Sequence, residues 1–387
     1  MRITPYQMDM WTYEMSEFYN SLEGEIIRSV IKRLNNGYTN ITEWQAQALK
    51  DLRLFNSDVV KELAKMTPYL ESEIKRYFEV AGNDFIHEID EYMTYESKPF
   101  PSDLDDVMRS YSSQCWREID NYVNQTLVTT NYGEGGRGTA TQAYVDVLNR
   151  TQALFNTGLL TLDEALEQAI KELAKKGIKS TFIDKGDHTW SLERYVQTVL
   201  SSTLANTYNE LRTSRMAEYG VHTVVVTSHM GARPACSRIQ GNVVDLRMPW
   251  QIPEGSEYLS IYDATWGADY GTAGGHRGCN CRHSHIPFIP GANTNNQPQY
   301  DATENAEVAK LRTKQRDLER RMVRHKKDRM ISAELGNIPE IKRLDKLIKG
   351  TDNRLTELVA SNKWLNRDRN REKVYTPLEI LLADHNE

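Results

Sequence analysis

The feature that most constrains the fold of this chain is an abrupt change of pattern at Gly220. Up to residue 218, apolar residues recur at three- and four-residue spacing, as in the series Trp11, Met15, Phe18 and Leu22. This period predicts amphipathic helices. Residues 221–291 instead are dense in Gly, Pro, His and Cys and have no helical period. We therefore expect a mainly α fold with one small α+β module that is rich in Cys and His.

The pattern divides the chain into four regions. We expect an N-terminal helical body over 1–132 and a second helical region over 139–218, with the glycine-rich Gly133–Gly138 as the linker between them. A compact α+β Cys/His module follows over 219–291, in which the β-branched run 221–227 predicts a strand. After a polar linker at 293–300, residues 301–373 predict a basic helical hairpin.

Local signals predict where the helices begin and end. Asn35–Gly37 predicts the end of the first helix, and Thr42 predicts the start of the next. Asn56 and Thr67–Pro68 are interpreted as further starts, because proline is tolerated in the first turn of a helix. Thr161–Glu164 has the spacing of a capping box.

Two strings carry most of the chemistry. Ser228–Gly241 and Tyr270–His285 together contain seven side chains that can bind a metal ion: His229, Cys236, His276, Cys279, Cys281, His283 and His285. Zinc prefers four nitrogen or sulfur ligands that come from two separate loops. Four cysteines in 387 residues are too few for a disulfide scaffold, which favours metal over disulfides in this cluster.

Three interpretations of the cluster stay open at this point. The side chains hold a structural zinc ion, or they are buried and hydrogen-bonded residues without a metal. A catalytic site is the third interpretation. It would need Cys281 beside a histidine base, or an open metal position beside a glutamate such as Glu254 or Glu257. No motif specifies a substrate, so we expect no enzymatic activity.

Several short motifs resemble those of the phage minor capsid protein 2 family. They are Ser228–Pro234, Gln240–Gly241, Tyr270–Thr272, Gly278–Ser284 and Pro287–Gly291, and Thr4–Gln7 is similar to the opening of that family. The resemblance covers most of residues 1–291. The family is similar in turn to the Mu F-like minor head proteins, which end in a comparable Cys/His module. Cys281 and His283 match the family pattern best, and the other ligand positions do not define one set of four.

The resemblance implies a virion structural protein. A member of this family is expected to be a low-copy minor capsid protein inside the phage head near the portal vertex, where it assists head assembly and DNA packaging or ejection. Its expected partners are the portal protein and the major capsid protein, with several copies arranged around the portal. It is expected to be synthesised in the host bacterial cytoplasm. The alternative is a metal-dependent hydrolase or toxin module that is delivered with the genome.

The C-terminal region differs from the rest in charge. The net charge of −6 combines an acidic body with a tail, residues 305–373, that has 20 Lys and Arg against 11 Asp and Glu. Such a tail predicts nonspecific, salt-sensitive binding of packaged DNA or pairing with the acidic body. The candidate DNA-binding residues are Lys310, Arg312, Lys314, Arg316, Arg320, Arg321, Arg324, Lys326, Lys327 and Arg329. The sequence contains no run of about 20 apolar residues, so we predict no membrane span.

Overall fold

The N-terminal part of the chain is built from long helices. The computed structural model describes residues 5–34, 41–93, 103–121, 139–161 and 192–384, with Pro99, Pro101 and parts of 164–172. Within these ranges lie α1 (Pro5–Leu34), α2 (Ile41–Tyr92), α3 (Leu104–Ile119), α4 (Thr139–Asn156) and α5 (Leu192–Glu218). The predicted stop at Asn35–Gly37 and the linker at Gly133–Gly138 lie outside the described residues.

The apolar stripes of these helices meet in one core. It includes Met15, Phe18 and Leu22 of α1, Leu70, Ile74 and Phe78 of α2, and Leu200 and Leu204 of α5, all with almost no exposed surface. Burying a side chain of this size stabilises the fold by about 1.5–3 kcal/mol. Both predicted helical regions contribute to this core, and the division of the chain into four regions remains a prediction.

Helix α2 is continuous where the sequence predicted breaks. It spans 52 residues and contains Pro68, so the predicted helix starts at Asn56 and at Thr67–Pro68 are wrong. Buried residues at helical spacing lie on both sides of the proline, from Leu63 to Phe85. Pro68 has no N–H to donate to the Ala64 carbonyl, and the Thr67 hydroxyl donates to the neighbouring Leu63 carbonyl at 2.7 Å. Tertiary packing therefore outweighs the local cost of proline.

The module after α5 is a small antiparallel sheet with long loops. Strand β1 (Thr223–Val226) lies between β2 (Val243–Asp245) and β3 (His285–Pro287). The four-residue helix α6 (Pro234–Ser237) lies in the connection between β1 and β2. The mainly α fold with a small α+β module is confirmed.

The tail is a helical hairpin. Helix α7 (Ala302–Glu334) and helix α8 (Ile338–Ala360) pair through Leu318, Met322, Leu355 and Leu358. Gly336 has a positive φ of 70° in the turn, and Asn337 caps α8. A last helix, α9 (Leu378–Asp384), packs against the body core. Within the described residues, no helix has both the length and the apolar character that crossing a bilayer requires.

The tail is joined to both the module and the body. The Asn305 side-chain oxygen accepts from the backbone N–H groups of Gly231 and Ala232 at 2.8 and 2.9 Å, and its amide donates to the Ala232 carbonyl. At the other end of α7, Lys327 forms an ion pair with Glu23 of α1. The predicted linker has no regular structure, but Gln299 donates to the Gly241 carbonyl and so holds it against the module.

Candidate metal centre

Strand pairing brings the two sequence motifs side by side. Val226 of β1 lies opposite His285 of β3. Just beyond this pair, Thr227 N donates to the Ser284 carbonyl at 2.9 Å, and Ser284 N donates to the Thr227 hydroxyl at 2.8 Å. The residue before Ser284 is therefore held next to the Ser228–Pro234 loop.

The 268–281 loop folds tightly because of its glycines. A Cβ on Gly275 would lie 1.8 Å from the Asp269 carbonyl oxygen, and one on Gly278 would lie 2.0 Å from that of Thr272. Only glycine permits such close approach of two backbone segments. The loop is thus compact enough to direct His276 inward.

Arginines fix the outside of this loop through its carbonyl groups. Arg233 donates to the carbonyls of Cys279 and Gly275, and the first of these contacts is 2.9 Å. Arg277 is almost fully buried and donates to the carbonyls of His283 and Ala205, which ties the loop to α5. Each guanidinium satisfies backbone groups that regular structure leaves without a partner.

Four side chains meet at the centre of the module. Cys236, His276, Cys281 and His283, here called the Cys/His centre, each offer one ligand atom, and these atoms all lie within 4.8 Å of one another. The two sulfur atoms are 3.8 Å apart, and Cys281 Sγ lies 3.4 Å from His283 Nδ1. Two sulfurs bound to one tetrahedral zinc at about 2.3 Å would lie roughly 3.8 Å apart. The donor set and its spacing therefore fit zinc.

A second hydrogen bond orients the His283 ring. Its Nε2 lies 3.0 Å from Gln240 Oε1, which also accepts from the backbone N–H of His229. Because the amide oxygen only accepts, His283 Nε2 carries the proton and Nδ1 presents its lone pair to the centre. This is the arrangement that a metal-binding histidine requires.

His276 and His285 form a buried imidazole pair. Their Nε2 atoms are 3.0 Å apart, and the Nδ1 atom of each ring is buried without a hydrogen-bond partner. Burial lowers the pKa of His276 and lowers that of His285 well below its usual value. Both rings are therefore neutral, which is the form that binds a metal.

The two thiols differ in acidity. The hydrogen bond between Cys236 and Cys281 lowers the pKa of Cys281 and raises that of Cys236. Hydrogen bonds with His276 and His283 also lower the pKa of Cys281, and the deprotonated form of a thiol is the one that binds zinc. A metal ion would favour the deprotonation of the second thiol in the same way.

The structure separates the seven sequence candidates into three groups. Four form the Cys/His centre. His229 and His285 lie against it, with the His229 ring 4.1 Å from the His283 ring and His285 bonded to His276. Cys279 is exposed and lies outside the centre. The sequence did not assign a role to Gln240 or Arg277, although Gln240–Gly241 is part of the motif that carried the family resemblance.

Comparison with known proteins gives the family of this chain. The family model described as phage minor capsid protein 2 matches residues 3–360. This chain belongs to the phage minor capsid protein 2 family.

Two phage proteins are similar to this minor capsid protein 2 family member. A structural protein of Lactococcus phage LL-H is 31% identical over 339 residues, which cover 87% of this chain and 90% of that protein. A structural protein of Lactococcus phage mv4 is 30% identical over 118 residues, which cover 30% of this chain and 93% of that protein. No solved structure matches the chain. The resemblance predicted from the sequence motifs is confirmed.

The candidate DNA-binding residues of this family member lie on α7, and most of them have partners within the protein. Three of them pair within α7: Arg316 with Glu319, and Arg320 and Arg321 with Asp317. Three others have partners elsewhere in the chain: Lys327 pairs with Glu23, Arg329 pairs with Asp345, and Lys326 donates to the Glu372 carbonyl. Arg312 is half-buried beside Gly231. Lys310, Lys314 and Arg324 are exposed and form no ion pair within the described residues.

Proposed function

We propose that this chain is a low-copy minor capsid protein inside the phage head, located near the portal vertex. Its membership of the minor capsid protein 2 family is the observation that carries the proposal. In this role the helical body binds the portal protein and the major capsid protein, in several copies around the portal. The protein then assists head assembly and the packaging or ejection of DNA.

The position in the virion can be tested by depletion. An amber mutation in this gene, grown on a non-suppressing host, is expected to give defective heads or particles that deliver DNA poorly. Quantitative mass spectrometry of wild-type virions is expected to find few copies per particle, and a density map of the portal vertex would locate them. Fully infectious particles that lack the protein would contradict the proposal.

We propose further that the Cys/His centre holds a structural zinc ion. Two cysteines and two histidines offer four ligands from the protein alone, which is the ligand number of structural zinc sites. Catalytic zinc sites keep one position open for water or substrate. Three of the four ligands lie in loops and Cys236 lies in the short helix α6, so the ion would join these segments beside the small apolar core around Val224, Val226 and Val244.

The chain offers a matched pair of variants for this test. Cys281→Ser removes a ligand, whereas Cys279→Ser changes an exposed cysteine two residues away. Purified wild type and Cys279→Ser are expected to carry about one zinc per chain by elemental analysis, and Cys281→Ser much less. Loss of the metal is expected to lower the Tm by roughly 10 °C. Zinc-free wild-type protein with an unchanged Tm would contradict a structural metal.

The same variants address the alternative of a delivered hydrolase or toxin. A catalytic centre predicts that Cys281→Ser folds normally and loses an activity. A structural centre predicts that the variant is less stable and that virions contain less of it. We favour the structural role because the described residues provide four protein ligands for one ion.

Contact with packaged DNA is a second proposed property, supported by the exposed cations of α7. Lys310, Lys314 and Arg324 are available for phosphates, whereas most other basic residues of the helix are paired. A variant with Lys310, Lys314 and Arg324 all changed to glutamine is expected to bind duplex DNA more weakly. The slope of its affinity against salt concentration is expected to correspond to up to about three fewer released counterions. If the variant binds DNA with the same affinity and the same salt dependence as the wild type, these three residues do not contact DNA.

A further inference from the structure

A cavity of about 420 Å³ lies between the body, the module and the tail. Its walls are the first turns of α1, the polar face of α5, the 277–284 loop, helix α7 and the segment around Arg371. Because five separate parts of the chain form it, the cavity exists only in the folded protein. A volume of this size suits a small ligand better than a length of duplex DNA.

The lining of the cavity is strongly basic. One carboxylate, that of Asp9, lines it together with six guanidinium groups, which belong to Arg194, Arg277, Arg282, Arg316, Arg320 and Arg371. Two of these arginines belong to the basic stretch of α7 that the sequence singled out for DNA. Arg316 is half-buried at this cavity, whereas Arg320 is exposed at its edge.

Nearby carboxylates neutralise only part of this charge. Asp9 pairs with Arg282 at 2.9 Å. Glu319 is shared between two arginines, with Arg316 at 2.7 Å and Arg371 at 3.1 Å. Like charges packed this closely repel one another, and a bound anion would relieve the repulsion.

Like the buried Arg277, Arg194 forms no ion pair with a carboxylate of the described residues. Its Nη1 donates to Gln197 at 3.1 Å, and no carboxylate of the described residues lies within 4.0 Å of its guanidinium. Burial, followed by the nearby Arg371, lowers the pKa of Arg194. A half-buried cation without a counter-ion is costly, and an anionic ligand would supply the missing partner.

Hydroxyl groups lie on the same wall. Thr198, Ser201 and Ser202 follow Arg194 along the polar face of α5 and line the cavity. The Ser202 oxygen is buried without a hydrogen-bond partner. Planar guanidinium groups and hydroxyl donors together are the side chains that bind phosphate oxygens.

We propose that this cavity binds a small anion with two or more phosphate groups, of the pyrophosphate or nucleotide class. This role is separate from the structural position in the head, and two ligands of the Cys/His centre, Cys281 and His283, also line the cavity. Arg194 and the hydroxyls of α5 contact the phosphates from one side. Arg282, Arg316 and Arg371 contact them from the other. The ligand thereby joins the tail to the body.

The proposal can be tested by calorimetry on the full-length protein at low salt. Inorganic pyrophosphate and ATP are titrated separately, since they present the same chemistry from two sources. Binding of either is expected, and Arg194→Gln is expected to weaken it roughly tenfold or more, because a charge-assisted hydrogen bond is lost. Ser202→Ala is expected to weaken it several-fold. Arg109→Gln, an exposed arginine on α3 that does not line the cavity, is the matched control.

The thermal unfolding of the same variants separates binding from folding. Without ligand, Arg194→Gln is expected to melt at or above the wild-type Tm, because a buried uncompensated charge is removed. Its Tm is expected to rise much less on addition of pyrophosphate. The proposal is overturned if neither compound binds the wild type, or if Arg194→Gln binds as tightly as Arg109→Gln. It is also overturned if only single-stranded DNA binds, which would assign the charge to the open surface of α7.

Discussion

At the scale of single residues, Gln240 is the side chain on which the geometry of the centre depends most. One amide oxygen accepts from His283 Nε2 and from the His229 backbone. It therefore fixes the tautomer and the ring orientation of a proposed ligand without touching the metal itself. This hydrogen bond matters because the lone pair of a metal-binding histidine must point at the ion.

Replacing Gln240 tests this role. Gln240→Leu is expected to lower zinc affinity by about 10- to 100-fold, because His283 loses the acceptor that orients it. The measurement is competition with a chromogenic chelator. Gln240→Glu keeps an oxygen acceptor and is expected to retain affinity. If both variants bind zinc as the wild type does, His283 is not oriented by this bond.

Helix α2 shows, at the scale of elements, how packing overrides a local signal. Pro68 is exposed, while Met66 and Leu70 beside it are fully buried. The helix is therefore held together by its buried face, and the proline acts only on the solvent side. Sequence signals for a helix start describe local preference and contain no information about that buried face.

Removal of this proline has a predictable direction. Pro68→Ala is expected to stabilise the protein by about 1–3 kcal/mol, because it restores a backbone hydrogen bond in a helix interior. Thermal or denaturant unfolding measures the change. Pro339→Ala is the control, since Pro339 lies in the first turn of α8, where proline is tolerated. A destabilised Pro68→Ala would mean that the packing of α2 needs a bend at this point.

The hairpin tail contains acidic groups whose ionisation contributes to stability. A hydrogen bond from Arg343 lowers the pKa of Glu340 from 4.5 to about 2, and one from Arg367 lowers that of Asp352 below 3.8. A carboxyl group with a lowered folded-state pKa stabilises the protein fully above its unfolded pKa. This contribution is lost as the pH falls through the folded value.

Acid unfolding should therefore depend on Arg343. The free energy of unfolding is expected to decrease between about pH 4.5 and pH 2 in the wild type, and the decrease should be smaller in Arg343→Met. Arg354→Met removes an exposed arginine of the same helix that forms no ion pair within the described residues, and it is expected to leave the slope unchanged. If the free energy of unfolding decreases equally with falling pH in all three proteins, the Arg343–Glu340 hydrogen bond is not the cause of the decrease.

At the scale of the whole molecule, buried polar contacts join the tail to the rest of the protein. The ion pair between Lys327 and Glu23 connects α7 to α1, and Glu23 is almost completely buried. Asn305 connects the start of α7 to the loop of the module. The basic tail is therefore an integral part of the fold, so only part of its charge is free for a partner.

Breaking the Lys327–Glu23 pair tests this connection. Lys327→Met is expected to destabilise the protein by about 3–5 kcal/mol, because it removes the counter-charge of a buried carboxylate. The double variant with Glu23→Met is expected to recover most of that loss. Lys310→Met, on the exposed surface of the same helix, should change the stability by less than about 0.5 kcal/mol. A Lys327→Met protein as stable as Lys310→Met would mean that the tail is not anchored here.

The sequence by itself determined the types of the elements and the chemistry of the module. Helical period, a β-branched strand at 223–226 and the hairpin turn at Gly336 are local patterns, and each predicts its element from neighbouring residues alone. The family also followed from short motifs. Motifs such as Ser228–Pro234 and Gly278–Ser284 are local because they lie in loops whose backbone needs particular residues.

Only the tertiary structure decided which side chains act together. Seven residues could bind a metal, and the closure of two loops against β1 and β3 brought four of them within reach of one ion and left Cys279 outside. The same is true of three cations of α7, because Lys326, Lys327 and Arg329 have the distant partners Glu372, Glu23 and Asp345. Distances between segments depend on the packing of the whole chain, and a linear pattern does not record them.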